Sequence, residues 1–151
     1  MDPDRKWMAE AISEAKKSRE SGGIPIGSVL VSQGTIIGRG HNQRVQKNNP
    51  ILHAEMVTVQ DAGRLRATVY SQSTMYTSLS PCTMCAGTIV LYKIPRVVIG
   101  ENRTVKDLTL CEDWLVEQGV EVINLDLQEC VDIMNDFIKE SPEIWHEDVG
   151  V

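Results

Sequence analysis

Leu79-Ser80-Pro81-Cys82-Thr83-Met84-Cys85 sets two cysteines three positions apart, directly after a proline, at the head of a stretch that reads as a helix from Cys82 to Tyr92. Upstream, His53-Ala54-Glu55 stands at the start of a second helical pattern, Leu52 to Gly63, and is placed in its first turn. Either fragment alone is a weak signal. H-x-E followed by P-C-x-x-C, in that order in one chain, is a strong one.

Working outward, Thr74 to Thr77 is a short β-rich run that feeds the cysteine turn, and Arg96 to Gly100 (RVVIG) follows it. Its unbroken apolar centre, Val97, Val98 and Ile99, predicts a strand covered on both faces. Leu108 to Gln118 reads as a helix stopped by Gly119, Val120 to Leu125 as a last strand, and Asp126 to Lys139 as a helix turning Cys130, Ile133, Met134 and Phe137 inward. Ser141-Pro142-Glu143 opens a short C-terminal segment.

Towards the N-terminus, Trp7, Met8, Ala11, Ile12 and Ala15 recur at three and four, predicting a helix over Asp4 to Glu20. Trp7 on that stripe reads as core. Ile26 to Val31 and Thr35 to Gly40 flank Gln33-Gly34 and predict a hairpin. Gly27, Gly38 and Gly40 would let the backbone approach a ligand or another strand closely. His41 to Ile51 is polar, ends in Asn48-Asn49-Pro50, and reads as a loop. A hairpin and then strands alternating with helices predict one α/β domain over residues 1–151, a mixed sheet with helices on its faces.

Composition narrows the function. The chain is long enough to hide roughly 70% of its unfolded surface, so a true core is expected. No apolar run reaches the roughly 20 residues of a membrane span, and Met1-Asp2-Pro3-Asp4 does not read as a leader, so a cytoplasmic protein with no membrane partner is expected. A net charge of -6 argues against a nucleic-acid partner, whose binding rests on Lys and Arg neutralising phosphates. The basic group Arg39, Arg44 and Lys47 reads as a solvated loop. Cys111 and Cys130 stand apart from the motif inside helical patterns and read as small buried hydrophobes, not disulfide partners.

His53, Cys82 and Cys85 are ligands of the kind zinc takes in tetrahedral sites, and three protein ligands leave a fourth position for water. A helix N-terminus favours the thiolate forms through its dipole and unpaired N–H groups. Zinc lowers the pKa of water towards neutrality. Glu55 is the non-ligand carboxylate that would move the protons, a role assigned by the motif, since residues i and i+2 of a regular helix point to different sides. The competing readings are weaker. A structural zinc site needs two more ligands, yet His41, His146, Cys111 and Cys130 form no second knuckle. A redox C-x-x-C leaves the H-x-E unexplained.

The chain resembles the cytidine deaminase superfamily, and within it the fungal-type free-base cytosine deaminases. The likeness runs nearly end to end: GGIPIG at Gly22 to Gly27, GRGHNQRVQK at Gly38 to Lys47, LHAE at Leu52 to Glu55, AGRL at Ala62 to Leu65, YTSLSPCTMC at Tyr76 to Cys85, IPRVVIGEN at Ile94 to Asn102, and IWHEDVG at Ile144 to Gly150. The resemblance implies a three-layer α/β/α sandwich with a five-stranded mixed sheet, a homodimer, and one catalytic Zn2+ per chain on His53, Cys82 and Cys85. It implies Glu55 as the proton shuttle. Asn42, the Ala54 backbone N–H and Asp148 would meet the polar edge of a small-molecule nucleobase, and the Ser80 carbonyl would face the amino group. Ile26 and Trp145 would wall the pocket. The implied reaction is hydrolytic deamination of cytosine to uracil and ammonia.

Three departures bear on the substrate. Where the fungal pattern has phenylalanine, this chain has Val45 and Val105, which would enlarge or reshape the pocket. It reads HAE where the fungal pattern has HGE, as tRNA adenosine and guanine deaminases do. The segment after GEN is slightly longer. The rival readings are a deaminase of guanine, isocytosine, a 5-substituted cytosine or a triazine, a tRNA adenosine deaminase, and a non-enzymatic zinc-stabilised module. The acidic C-terminus, with Glu143, Glu147 and Asp148, argues against the tRNA reading.

Overall fold

The computed structural model describes residues 2–105 and 109–151. At its centre is a five-stranded mixed sheet in the order β2-β1-β3-β4-β5. The hairpin pairs β1 (Gly27–Ser32) with β2 (Thr35–His41) through Gln33 and Gly34, both at positive φ, a turn whose twist matches that of the strands. β3 (Ser73–Thr77) runs antiparallel to β1 and parallel to β4 (Arg96–Ile99), which runs parallel to β5 (Glu121–Asn124).

Both sheet faces are covered, as the apolar run in β4 requires. On one face α1 (Pro3–Glu20) sets Met8, Ala11 and Ile12 against Val29, Val31, Tyr76 and Val98. On the other, α5 (Thr83–Leu91) and α6 (Thr109–Glu117) bring Ala86, Ile89, Cys111 and Leu115 onto Leu30, Met75, Val97 and Ile99. Alternate residues of each strand serve opposite layers. The two isolated cysteines are buried, Cys111 in the second layer and Cys130 in the first. Trp7 is half-buried and packs on the first layer.

Helix approach accounts for the glycines of the hairpin. A Cβ on Gly27 would collide with the backbone of α1 at Ala11, and one on Gly38 would stand 2.5 Å from the Thr58 carbonyl of α3 (Ala54–Ala62). The close neighbour is a helix backbone in each case, neither a ligand nor a strand.

Four local readings change. The loop predicted over His41 to Ile51 contains one helical turn, α2 (Arg44–Lys47), closed by Asn48 in the left-handed region. A second single turn, α4 (Ala67–Tyr70), is too short to show periodicity in sequence. α3 begins after His53, which is its N-cap in extended backbone (ψ 159°), and α5 begins after Cys82, likewise an N-cap (ψ 177°). The C-terminal segment after α7 (Gln128–Glu140) is a helix, α8 (Pro142–Asp148). The predicted start of the fourth helix at Leu108 lies outside the described residues. Among the described residues no helix is long and apolar enough to cross a membrane.

The basic group dissolves into internal pairs. Arg39 reaches Glu10 over 2.6 Å and Glu14 over 3.5 Å, and Arg44 faces Asp148, which leaves Lys47 as the exposed member.

Candidate active site

β3 ends at Thr77 and its chain runs on to Cys82, so α5 starts beside the start of α3. His53 Nδ1 lies 3.4 Å from Cys82 Sγ, and the ligand atoms of His53, Cys82 and Cys85 all lie within 4.8 Å of one another. Nitrogen and sulfur ligands bound tetrahedrally to one zinc stand about 3.5 Å apart, given bond lengths near 2.05 and 2.3 Å. The His53–Cys82 spacing matches this, and Cys85 lies close enough to complete the three-ligand set.

The electrostatics suit a cation. A hydrogen bond from Cys85 pulls the Cys82 thiol down to about 4 against the effect of burial, with His53 adding to it, so a thiolate is present at neutral pH. Burial would push His53 down, but Cys82 and Asp148 outweigh it and raise it to about 9. Cys85 is pushed well up by its bond to Cys82 and by burial. Positive charge is thus favoured on His53 by the same anionic neighbours that would welcome a metal ion.

Glu55 reaches this group because His53 is a cap with extended backbone; the i, i+2 divergence of a regular helix does not apply across that junction. Its side chain is buried, 4% exposed, and both residues line one cavity. Burial and the neighbouring Cys82 charge raise the Glu55 carboxyl to about 7, the range a general acid–base group needs at neutral pH.

The cavity is small, about 20 Å³. Ile26, Leu79, Trp145 and Val149 make its apolar wall, and Ala54, Ser80 and Asp148 complete the lining. Trp145 packs with Ile26, Leu79, Val105, Met134 and Phe137 in one apolar cluster, so α8 lies over the cavity with its ring anchored. Ser80 is buried; its N–H donates to the Glu101 carbonyl (3.0 Å) and its hydroxyl to Glu112 (2.8 Å).

Asp148 is the last residue of α8, and Asn42 follows β2. Asn42 Nδ2 donates to Asp148 Oδ1 over 2.9 Å, and Asn42 Oδ1 accepts the Arg44 N–H over 3.0 Å. Asn42 is wholly buried and stands behind Asp148, outside the cavity lining. His53 Nε2 lies 3.5 Å from Asp148 Oδ1, leaving Nδ1 for the metal side; a carboxylate on the second nitrogen orients a ligating imidazole. Burial raises the Asp148 carboxyl despite the opposing His53 charge.

The two valines part company. Val105 packs with residues of the cavity wall, while Val45 is exposed on a neighbouring groove with Pro50, Ile144 and Glu147. Sequence reasoning missed Leu79 and Val149 as wall residues. Both adjoin motif residues, but an apolar side chain carries no chemical mark of its own.

A family model describing the cytidine and deoxycytidylate deaminase zinc-binding region matches residues 1–101. The chain is 51% identical over 148 residues to the cytosine deaminase of Candida albicans, covering 97% of each. It is 38% identical over 148 residues to the tRNA-specific adenosine deaminase of Bacillus subtilis, covering 93% of this chain and 91% of that one. A solved structure from work on A-to-I editing by tRNA:A34 deaminases superposes with a TM-score of 0.72 at 27% identity, covering 85% of this chain and 99% of that one. The chain belongs to the cytidine and deoxycytidylate deaminase family and is a zinc-dependent hydrolytic deaminase.

Proposed function

We propose that residues 1–151 form one deaminase domain that converts free cytosine and water to uracil and ammonia, and that it also accepts 5-substituted cytosines. The observation that carries this is a buried Glu55 with a carboxyl near neutrality, lining the same cavity as His53 and Cys82 of a His–Cys–Cys group. Likeness to the Candida albicans enzyme supports the choice of cytosine.

His53, Cys82 and Cys85 would hold the zinc, which when bound would supply Lewis acidity that makes water a nucleophile near neutral pH. Glu55 takes a proton from the attacking water and gives it to ring N3. It then carries the second proton of that water to the amine, which leaves C4 as ammonia while the oxygen stays behind as the carbonyl of uracil. Asp148, held from behind by Asn42, and the Ala54 N–H meet the polar edge of the base, the Ser80 carbonyl accepts from the amino group, and Ile26 and Trp145 hold the ring flat and exclude water. Val105 packs behind the wall residues Ile26, Leu79 and Trp145.

A second reading keeps the same residues and changes the base. The HAE sequence and the likeness to tRNA adenosine deaminases favour a purine substrate, while the net charge of -6 and the internal pairing of Arg39 and Arg44 weigh against RNA. We place the enzyme in cytoplasmic pyrimidine salvage as a homodimer. Exposed Leu91 and Tyr92, beside Val59, Leu65 and Tyr70, offer an apolar face for a second copy.

The test is ammonia release by the zinc-loaded protein from cytosine, 5-methylcytosine, isocytosine, guanine and adenosine, with Glu55→Gln as control. Turnover of cytosine that vanishes in the variant supports the proposal. Turnover of another base alone overturns the substrate, and undiminished activity in Glu55→Gln overturns the role of Glu55.

A further inference from the structure

We propose that Arg44 is a positioning residue, which holds the Asn42–Asp148 pair and the end of α8 against the cavity; this rests on the deaminase reading of the same site. Arg44 lies in a single helical turn that reads as loop in the sequence, and its side chain is only 14% exposed despite its charge. A guanidinium so far removed from water needs partners.

Arg44 makes three contacts, one through its backbone and two through the guanidinium, each to a different stretch of chain around the cavity. Its backbone N–H donates to Asn42 Oδ1 over 3.0 Å. That bond decides which way the Asn42 amide faces, because with Oδ1 taken up the NH2 end is turned to Asp148, where it donates over 2.9 Å. Its Nε donates to the Pro50 carbonyl over 3.1 Å, on the stretch that leads to His53. The same Nε lies 3.8 Å from Asp148 Oδ1, and the Asp148 side chain is 4% exposed. Such a pair sits in low dielectric and is little screened by salt.

The pair has a mechanical consequence. α8 is seven residues long, too short to hold as a helix without tertiary contacts. Trp145 anchors it through apolar contact, which resists withdrawal but not rotation about the helix axis. The Arg44–Asp148 and Asn42–Asp148 contacts, one turn further on, fix that rotation and so aim the carboxylate at the cavity. Lysine would keep a charge there but has no Nε–H held in a rigid plane between the Pro50 carbonyl and the Asp148 carboxylate.

The experiment compares wild type, Arg44→Met and Arg44→Lys as zinc-loaded full-length proteins, by steady-state kinetics on cytosine and by amide exchange over residues 142–149. Arg44→Met is expected to raise KM about tenfold or more with kcat changed less than about threefold, since the group acts on binding geometry and not on the proton relay. Zinc content should stay unchanged, and exchange in α8 should rise. Arg44→Lys should recover part of the KM. A lowered melting temperature with unchanged KM and unchanged α8 exchange would overturn the proposal and leave Arg44 a stability residue. Should the wild type fail on cytosine, the substrate reading falls while the exchange data still decide the tether: faster α8 exchange in Arg44→Met supports it and unchanged exchange overturns it.

Discussion

Asn42 Nδ2 donates to Asp148 Oδ1 over 2.9 Å, joining residues 106 positions apart and closing the end of α8 onto the end of β2. The donor amide is wholly buried and its oxygen is already satisfied, so the bond has one orientation. Removing it strands a buried carboxylate, and the penalty falls on that unpaired partner. Asn42→Ala should raise KM for cytosine roughly tenfold with zinc content unchanged. Asn42→Asp, which sets two carboxylates together, should be worse than alanine. Kinetics on both variants check the order, and an aspartate variant as good as alanine would remove the pair from the binding site.

Glu55→Gln should fold, bind zinc and lose turnover by about 10²–10⁴-fold, the usual contribution of general acid–base catalysis. Ammonia release and metal analysis on the same sample test it. Loss of zinc together with activity would make Glu55 a structural residue.

Stripping the metal should lower the melting temperature as well as abolish activity, because the ion binds a site built by the folded chain. At free zinc a hundred times Kd the linkage is worth about 2.7 kcal/mol. Calorimetry with and without chelator reads the shift, and Cys82→Ala should show the stripped behaviour even when zinc is added.

Val105→Phe tests the pocket wall. The added ring meets the cluster of Ile26, Leu79 and Trp145, so it should cost about 1–3 kcal/mol of stability where the packing is already full. Turnover of 5-methylcytosine should fall relative to cytosine by roughly 10–200-fold, the scale of methylene discrimination. Equal losses on both substrates would show that Val105 does not border the 5-position. Val45→Phe, exposed on the neighbouring groove, should leave the ratio unchanged.

Glu14 supplies a pH test outside the site. It accepts from Lys17 over 2.7 Å and lies 3.0 Å from His41 Nδ1 and 3.5 Å from Arg39 Nε. Burial pushes its carboxyl up, but the Lys17 and His41 hydrogen bonds and the charges of Lys17 and Arg39 outweigh that and leave it below its usual 4.5. A depressed folded value means the stabilisation is present above the unfolded pKa and is lost as pH falls through the folded one. Glu14→Gln should therefore melt earlier than wild type at pH 7, and the gap should narrow as pH falls below the usual 4.5 and through the folded value. A constant gap across pH 3 to 7 would assign the effect to packing.

How much of this could be read from the chain alone depended on how local the cause was. The zinc group was legible because His53, Cys82 and Cys85 carry their chemistry in their residue types, and Pro81 marks where α5 begins. The layered α/β fold was legible because the periodicities of α1 and α7, the apolar run of β4 and the Gln33-Gly34 turn each report on a few consecutive residues. What the local signals left open was settled by contacts across the fold. Only the extended cap at His53 lets Glu55 meet the thiolates, and cap geometry is set by what packs around it. Only the return of α8 buries Asp148 against Asn42, His53 and Arg44, which in sequence are an acid near the C-terminus and a polar loop. Only packing separates Val105, buried against the residues of the cavity wall, from Val45 on the surface. Residue type and short-range pattern are properties of the chain, whereas burial and long-range pairing exist once distant segments share the same space.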